Sequence, residues 1–252
     1  MLFRSRLAFN QSYFPYLALL NIFPFFGKGY AFGGLLLMML TCATLFEAQL
    51  NKLRGGWWLN LWIMIALLPI SRYLSSPSPD VAVALIQVAI FIFLVKTYSP
   101  DLQDQANTGY SAIMVFFLAC LLVAIKLSGV IFAFMAILLL MPCIKTSYSK
   151  YKRAYLTSFL IGSYFIAVHL LRGVLLSGLP LYPSTLGAIW NVDWSVTRAQ
   201  AIDEANWIYS WARDASKTPT EVLGSWAWFP AWAESFMGER WRYVYGALLL
   251  TL

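Results

Sequence analysis

The chain has 252 residues, 60% of them apolar and 12% charged, with a formal net charge of +7 at neutral pH. A soluble globular domain holds about 45–50% apolar and about 25% charged residues, so this composition excludes the soluble classes. The positive balance does not point to nucleic acid, because lysines and arginines stand singly at the ends of apolar runs or crowd one short loop, as topology signals do.

The pattern predicts an all-α fold: a polytopic transmembrane helical bundle followed by an extracytoplasmic segment of amphipathic helices. Met1 to Asn10 carries Arg4 and Arg6 but leads into no compact apolar core with a cleavage site, so it reads as a poor signal peptide. Tyr13 to Phe26 is apolar but short, and Pro15 and Pro24 interrupt it. Residues 1–29 therefore read as an interfacial or re-entrant segment.

Residues 30–176 read as the bundle. Its predicted spans are Tyr30 to Leu50, Trp57 to Ile70, Val81 to Tyr98, Ser111 to Ile125, Val130 to Ile144 and Ala154 to Leu176. A hydrocarbon slab about 30 Å thick needs roughly 20 apolar residues, so the shorter runs must borrow flanking polar residues to cross. Cys42, Cys120 and Cys143 sit inside apolar runs without CxxC or metal spacing and read as small buried hydrophobes; no metal or cofactor motif is present.

Lys145, Lys150, Lys152 and Arg153 crowd the loop between the last two spans, and positive loops remain cytoplasmic. Alternation then puts Lys52, Arg54 and Lys96 on the same side. Arg72 to Asp80, Lys126 to Gly129 and residues 177–240 fall outside. Seven basic residues lie in inner short loops against three outside, at positions 28, 72 and 126, which supports this orientation of a multi-pass protein.

In the outer segment, Thr197-Arg-Ala-Gln200 fits a capping box, and Ala201, Ala205, Ile208 and Ala212 follow at helical spacing. Thr218-Pro219-Thr220-Glu221 orders a cap, a first-turn proline and an acidic third residue. Trp226, Trp228, Phe229 and Trp232 suit a headgroup layer, where amphipathic rings are favoured. Residues 241–252 open another apolar run, but twelve helical residues rise only about 18 Å. They are expected to be the start of a truncated span, and the chain a fragment.

Few polar groups remain to carry chemistry. In Ser75-Ser-Pro-Ser-Pro-Asp80 the prolines forbid a continuous helix, so this loop must face water or a polar cavity. Asp80 could orient a sugar hydroxyl, act as a base, pair with Arg72, or cap a helix starting at Val81. Lys126 interrupts an apolar hairpin, where it either snorkels or meets a lipid phosphate. His169 and Arg172 share a helix face at i and i+3 and could grip a phosphate, or serve as a packed histidine beside an interfacial arginine. Asp193, Asp203, Glu204, Asp214 and Glu221 read mostly as helix-surface carboxylates. Their neighbours Trp190, Trp194, Trp207 and Trp211 read as interface anchors or as faces on which sugar rings stack.

Three motifs resemble an uncharacterised bacterial family of large multi-spanning proteins named after a leptospiral locus. They are Ser75-Ser-Pro-Ser-Pro-Asp80, Ile125-Lys-Leu-Ser128, and Arg172-Gly-Val-Leu-Leu-Ser-Gly-Leu-Pro-Leu-Tyr-Pro-Ser184 followed by Val192-Asp-Trp194. Those proteins look like polyprenyl-phosphate-dependent glycosyltransferases of the GT-C architecture, and the similarity covers nearly the whole chain.

The resemblance implies an extracytoplasmic site where a sugar on a lipid phosphate meets a glycan acceptor and one carboxylate acts as general base. It also implies that the first span and first outer loop, where such enzymes carry their catalytic acid, are missing here. The expected substrate-binding set is Arg72, Asp80, Lys126, His169, Arg172 and Asp193, with Asp80 the candidate catalytic residue. Expected partners are membrane lipid, a lipid-linked sugar and a glycan acceptor, without nucleic acid. The alternatives are a lipid-linked sugar transporter or flippase, which needs a charged path through the bundle, and a non-catalytic membrane subunit.

Overall fold

The computed structural model describes residues 13–22, 28–48, 56–76, 78–98, 105–188, 192–235 and 238. Lys52, Arg54, Pro77, Trp190 and the run from Trp241 lie outside them. All regular structure among the described residues is helical. The helices are α1 (Tyr13–Leu20), α2 (Gly33–Ala48), α3 (Gly56–Ser71), α4 (Pro79–Tyr98), α5 (Gln105–Ile125), α6 (Val130–Ser177), α7 (Arg198–Trp211), α8 (Pro219–Val222) and α9 (Phe229–Ser235). Single 3-10 turns, Gly29–Phe32 and Leu127–Gly129, precede α2 and α6. The chain divides into two compact units, Phe9–Arg172 and one built on Gly173–Leu252.

In the first unit α4 is central, packing chiefly on α5 and α2. One of its faces puts Ile86, Ile90 and Phe93 against Ala112, Val115, Ala119 and Leu122 of α5 and Ala133, Ala136 and Leu140 of α6. The other puts Val81, Leu85 and Ile92 against Ile63 and Leu67 of α3 and Leu45 of α2. A helix apolar all round is stable only when neighbours cover it, and α4 is covered on both sides. Tyr13 and Leu17, one turn apart on α1, join the first cluster, while Leu19 and Ile22 stay exposed. α1 is thus seated on the bundle by two residues of its inner face.

α6 runs for 48 residues, which as a straight rod would extend about 72 Å. Its backbone leaves helical geometry at Tyr151, with φ −115° and ψ 22°, and the chain reverses there. The side-chain contacts give the direction. Gly129 lies against Leu122 of α5, and Tyr151 lies against Gly109 at the other end of α5, so residues 130–150 run antiparallel to it. Contacts then climb α5 again: Phe159 on Phe116, Gly162 on Cys120, Phe165 on Phe117 and His169 on Ala124. The second arm is therefore parallel to α5. The basic stretch that the sequence reads as a loop is helical up to and beyond this reversal, because i→i−4 bonding persists on both sides of Tyr151.

Three stretches among the described residues are long and apolar enough to cross a bilayer: Gly29–Glu47, Pro79–Tyr98 and Leu127–Ser177. On α6 the exposed apolar residues Ile131, Phe134, Met135, Leu138 and Leu139 recur at i, i+3, i+4, i+7 and i+8, an outward stripe suited to lipid. The apolar helices mark a membrane-associated protein. In lipid the helices gain little from hiding apolar surface and associate by close packing, which the alanines and glycines of the α4, α5 and α6 contacts allow.

The second unit begins at Gly173, near the end of α6. Gly178 takes a left-handed φ of +78°, and its amide donates to the Val174 carbonyl at 2.8 Å, a glycine C-cap. The Ser177 hydroxyl donates to the Gly173 and Leu179 carbonyls at 2.8 and 3.1 Å, and the Val196 amide returns to the Ser177 carbonyl at 2.9 Å. Thr197 and Gln200 form the expected capping box at the start of α7, and Thr218 and Glu221 form another at α8.

Between them, Asp214 accepts from the Ser216 hydroxyl at 2.6 Å and amide at 3.0 Å and pairs with Lys217 at 3.1 Å. These bonds hold the Asp214 carboxyl below its ordinary range, the Ser216 hydroxyl foremost, and the Thr218 hydroxyl does the same for Glu221. A depressed native carboxylate stabilises the fold above the unfolded value, near 4, and that stability is lost as pH falls through the native value. Protection of the Ser216 and Thr218 amides against exchange is accordingly expected to fall as pH drops below about 4, while that of the Thr197 amide, held by the non-ionisable Gln200 side chain, does not.

Candidate functional site

The loop after α3 and the start of α4 are held by serines. The Ser76 hydroxyl accepts from the Ser78 amide at 3.2 Å, and the Ser78 hydroxyl accepts from the Asp80 amide at 3.3 Å. Ser78 is therefore the N-cap and Pro79 the first residue of α4, the position where a missing amide hydrogen costs nothing. This corrects the reading of Asp80 as the cap of a helix starting at Val81. Asp80 instead stands in the first turn, where a carboxylate is favoured by the helix dipole. Its side chain is left free for other partners.

Two partners hold it. The Ser78 hydroxyl donates to Asp80 Oδ2 at 2.9 Å, and Lys126 Nζ forms a short ion pair with Oδ1. The cation against Asp80 is thus Lys126 rather than Arg72. Lys126 is extended, its amide bonded to the Leu122 carbonyl at 3.0 Å and its carbonyl to the Gly129 amide at 2.9 Å, so the hairpin between α5 and α6 presents the ammonium at a defined point. The side chains remain 68% exposed at Asp80 and 34% at Lys126, so an incoming group can reach both.

His169 is only 4% exposed, and its Nδ1 lies 2.9 Å from the Ala124 carbonyl. That carbonyl belongs to the last turn of α5, where helical partners run out, so the imidazole N–H satisfies one of the orphan acceptors. His169 fastens the second arm of α6 to the end of α5 two residues before Lys126. Arg172, half-buried one turn further on, lies at the same end of this unit. Arg72 follows α3 in an exposed turn, and the neighbouring Leu74 carbonyl lies against Gly34 at the start of α2. Asp80, Lys126, His169 and the loop that carries Arg72 thus share one end of the first unit. Lys96, Lys145, Lys150, Lys152 and Arg153 fall toward the other, where Tyr98 meets Leu139 and Tyr151 meets Gly109.

Asp193 is exposed in a turn of the second unit. Glu204, which reads from sequence as a helix-surface carboxylate, is 5% exposed on the inner face of α7. Its spacing of i+3 from buried Ala201 and i−4 from Ile208 was the available signal. Ser78, overlooked beside Asp80, is the other residue that the sequence reading missed; proline at the following position marks it as a cap. No group of three metal-ligating side chains occurs among the described residues.

This arrangement offers a hydroxyl-braced carboxylate and an ammonium in contact, reachable from outside, with a half-buried guanidinium at the same end of the unit. It can accept a proton or a hydrogen bond at Asp80 and oppose negative charge at Lys126. Over residues 2–251 the chain matches the family described as a domain of unknown function (DUF8201), and it belongs to that family. No curated protein and no solved structure matches it.

Proposed function

We propose that this DUF8201 protein is a multi-pass protein of the bacterial cytoplasmic (inner) membrane that handles polyprenyl-phosphate-linked sugars at its extracytoplasmic end, as a GT-C-like glycosyltransferase of cell-envelope polysaccharide assembly. The observation that carries this reading is the Asp80–Lys126 pair at one end of the helical unit, opposite the basic cluster at residues 145–153. Positive loops are retained in the cytoplasm, so the pair belongs outside.

In the proposed reaction the acceptor hydroxyl oxygen attacks the anomeric carbon and the bond from that carbon to the phosphate oxygen breaks. The lipid phosphate leaves with the electron pair, and the hydroxyl proton passes to Asp80. Ser78 keeps the carboxylate in place. Lys126 and Arg172 oppose the charge that gathers on the departing phosphate, the stage at which fixed cations lower a barrier most. A carboxylate base contributes about 10²–10⁴-fold in such a step.

The test is photocrosslinking of the full chain in membranes with a diazirine-bearing undecaprenyl-phosphate hexose. Label is expected on peptides containing Asp80, Lys126 or Arg172, and Lys126→Ala and Arg172→Ala should each reduce it severalfold. Label confined to peptides of the 145–153 cluster would sink this reading.

A further inference from the structure

α7 and the segment that follows it border an open groove of about 510 Å³. Its walls include Asn206, Tyr209, Arg213, Ser225, Trp226 and Trp228. The rings are arranged in series. The Arg213 guanidinium donates to the Tyr209 carbonyl at 2.9 Å and lies 5.2 Å from the centre of the Trp228 ring. Trp228 stacks in turn on Trp226, with centroids 5.6 Å apart and planes 24° from parallel. Trp226 also meets Phe229 edge-on at 6.3 Å between centroids, yet keeps 77% of its surface open. The wall is fixed from behind by the bond from the Ser210 hydroxyl to the Lys217 carbonyl at 3.2 Å, by the Asp214–Lys217 pair and by the Thr218 capping box.

We infer that this groove binds a neutral saccharide, whose ring stacks on Trp226 while its hydroxyls meet Asn206, Arg213 and Ser225. A pyranose presents C–H groups on one face and hydroxyls around its edge, which matches an open aromatic face bordered by an amide, a guanidinium and a hydroxyl. Charge argues against the other occupants. Between Ser177 and Ser235 six acidic residues stand against three basic ones, which disfavours a phosphate or an anionic headgroup. Arg213 already covers Trp228, which disfavours a quaternary ammonium. Only the role of this sugar as an acceptor rests on the glycan-transfer reading; binding itself does not depend on Asp80.

The test titrates the full chain in detergent with maltohexaose, cellohexaose and chitohexaose, followed by tryptophan fluorescence and calorimetry. Saturable binding of at least one is expected, weakened about tenfold by Trp226→Ala and by Arg213→Ala, the loss of one aromatic stack. Asn206→Ala serves as the second variant should Arg213→Ala fail to fold, and is expected to weaken binding severalfold. Asp80→Asn is expected to bind the hexasaccharide as the parent does, whether or not it transfers sugar. No saturable response to any of the three, or parental affinity in Trp226→Ala, would overturn the inference. So would loss of binding in Asp80→Asn, or quenching of Trp226 by brominated lipid in vesicles without a sugar response.

Discussion

Gly178→Ala is expected to destabilise the second unit by about 2–4 kcal/mol. Two effects add. A φ of +78° disfavours any residue with a Cβ, at roughly 1–2 kcal/mol. The new Cβ would also lie 2.2 Å from Ser195 Oγ, 2.7 Å from Ser195 Cβ and 2.8 Å from its Cα, so turning the serine side chain relieves nothing. The backbone of 192–196 has to retreat, which strains the Val196 amide bond to the Ser177 carbonyl and the 3.3 Å bond from the Val192 amide to Ser195 Oγ. Limited proteolysis is the readout, with new cleavage between Leu179 and Thr197. Gly224→Ala is the control: its φ is +116°, but nothing lies within 4 Å of the added methyl, so only the backbone cost applies. Equal resistance of both variants to protease would refute the steric account.

Exchanging the charges at Asp80 and Lys126 separates what the pair does for the fold from what it does for chemistry. A partly exposed ion pair contributes about 0–1 kcal/mol, so Asp80→Asn and Lys126→Ala are each expected to leave the melting temperature within a few degrees of the parent. Sugar transfer is expected to fall about 10²–10⁴-fold in Asp80→Asn, the usual contribution of a positioned base. In the double variant Asp80→Lys with Lys126→Asp the pair can re-form, at a cost of about 0.3–1 kcal/mol for placing a cation in the first turn of α4. Stability should therefore stay within a few degrees of the parent's while transfer stays lost, because the carboxylate now projects from the hairpin instead of the serine-braced helix start. Transfer restored in the exchanged protein would reduce Asp80 to an anchor for Lys126.

What the sequence disclosed and what it concealed divide along physical lines. The capping boxes at Thr197 and Thr218 were legible because a cap is a local bond between residues three apart. The apolar runs were legible because membrane-crossing length is a property of composition. The reversal between Ile144 and Ala154 was legible as a basic loop joining two spans, but the persistence of helix through that stretch to a kink at Tyr151 was not, since it follows from the good helix-forming residues there rather than from the apolar pattern. The partner of Asp80 was concealed as well. Arg72 is near it in sequence, whereas Lys126 reaches it through the packing of α4 on α5. His169 shows the converse: as a candidate phosphate ligand it offered a residue type and a spacing, but the carbonyl that engages it sits on another helix.

The seat of Tyr151 on Gly109 has an evolutionary consequence. A methyl at position 109 would stand 2.4 Å from the tyrosine ring, so position 109 cannot gain a side chain while the ring at 151 stays where it is. Homologues that carry alanine or larger at 109 should have traded the ring at 151 for something smaller, a paired substitution between sites distant in the gene. A lineage that gained a side chain at 109 and kept the ring at 151 would have had to reshape the turn itself.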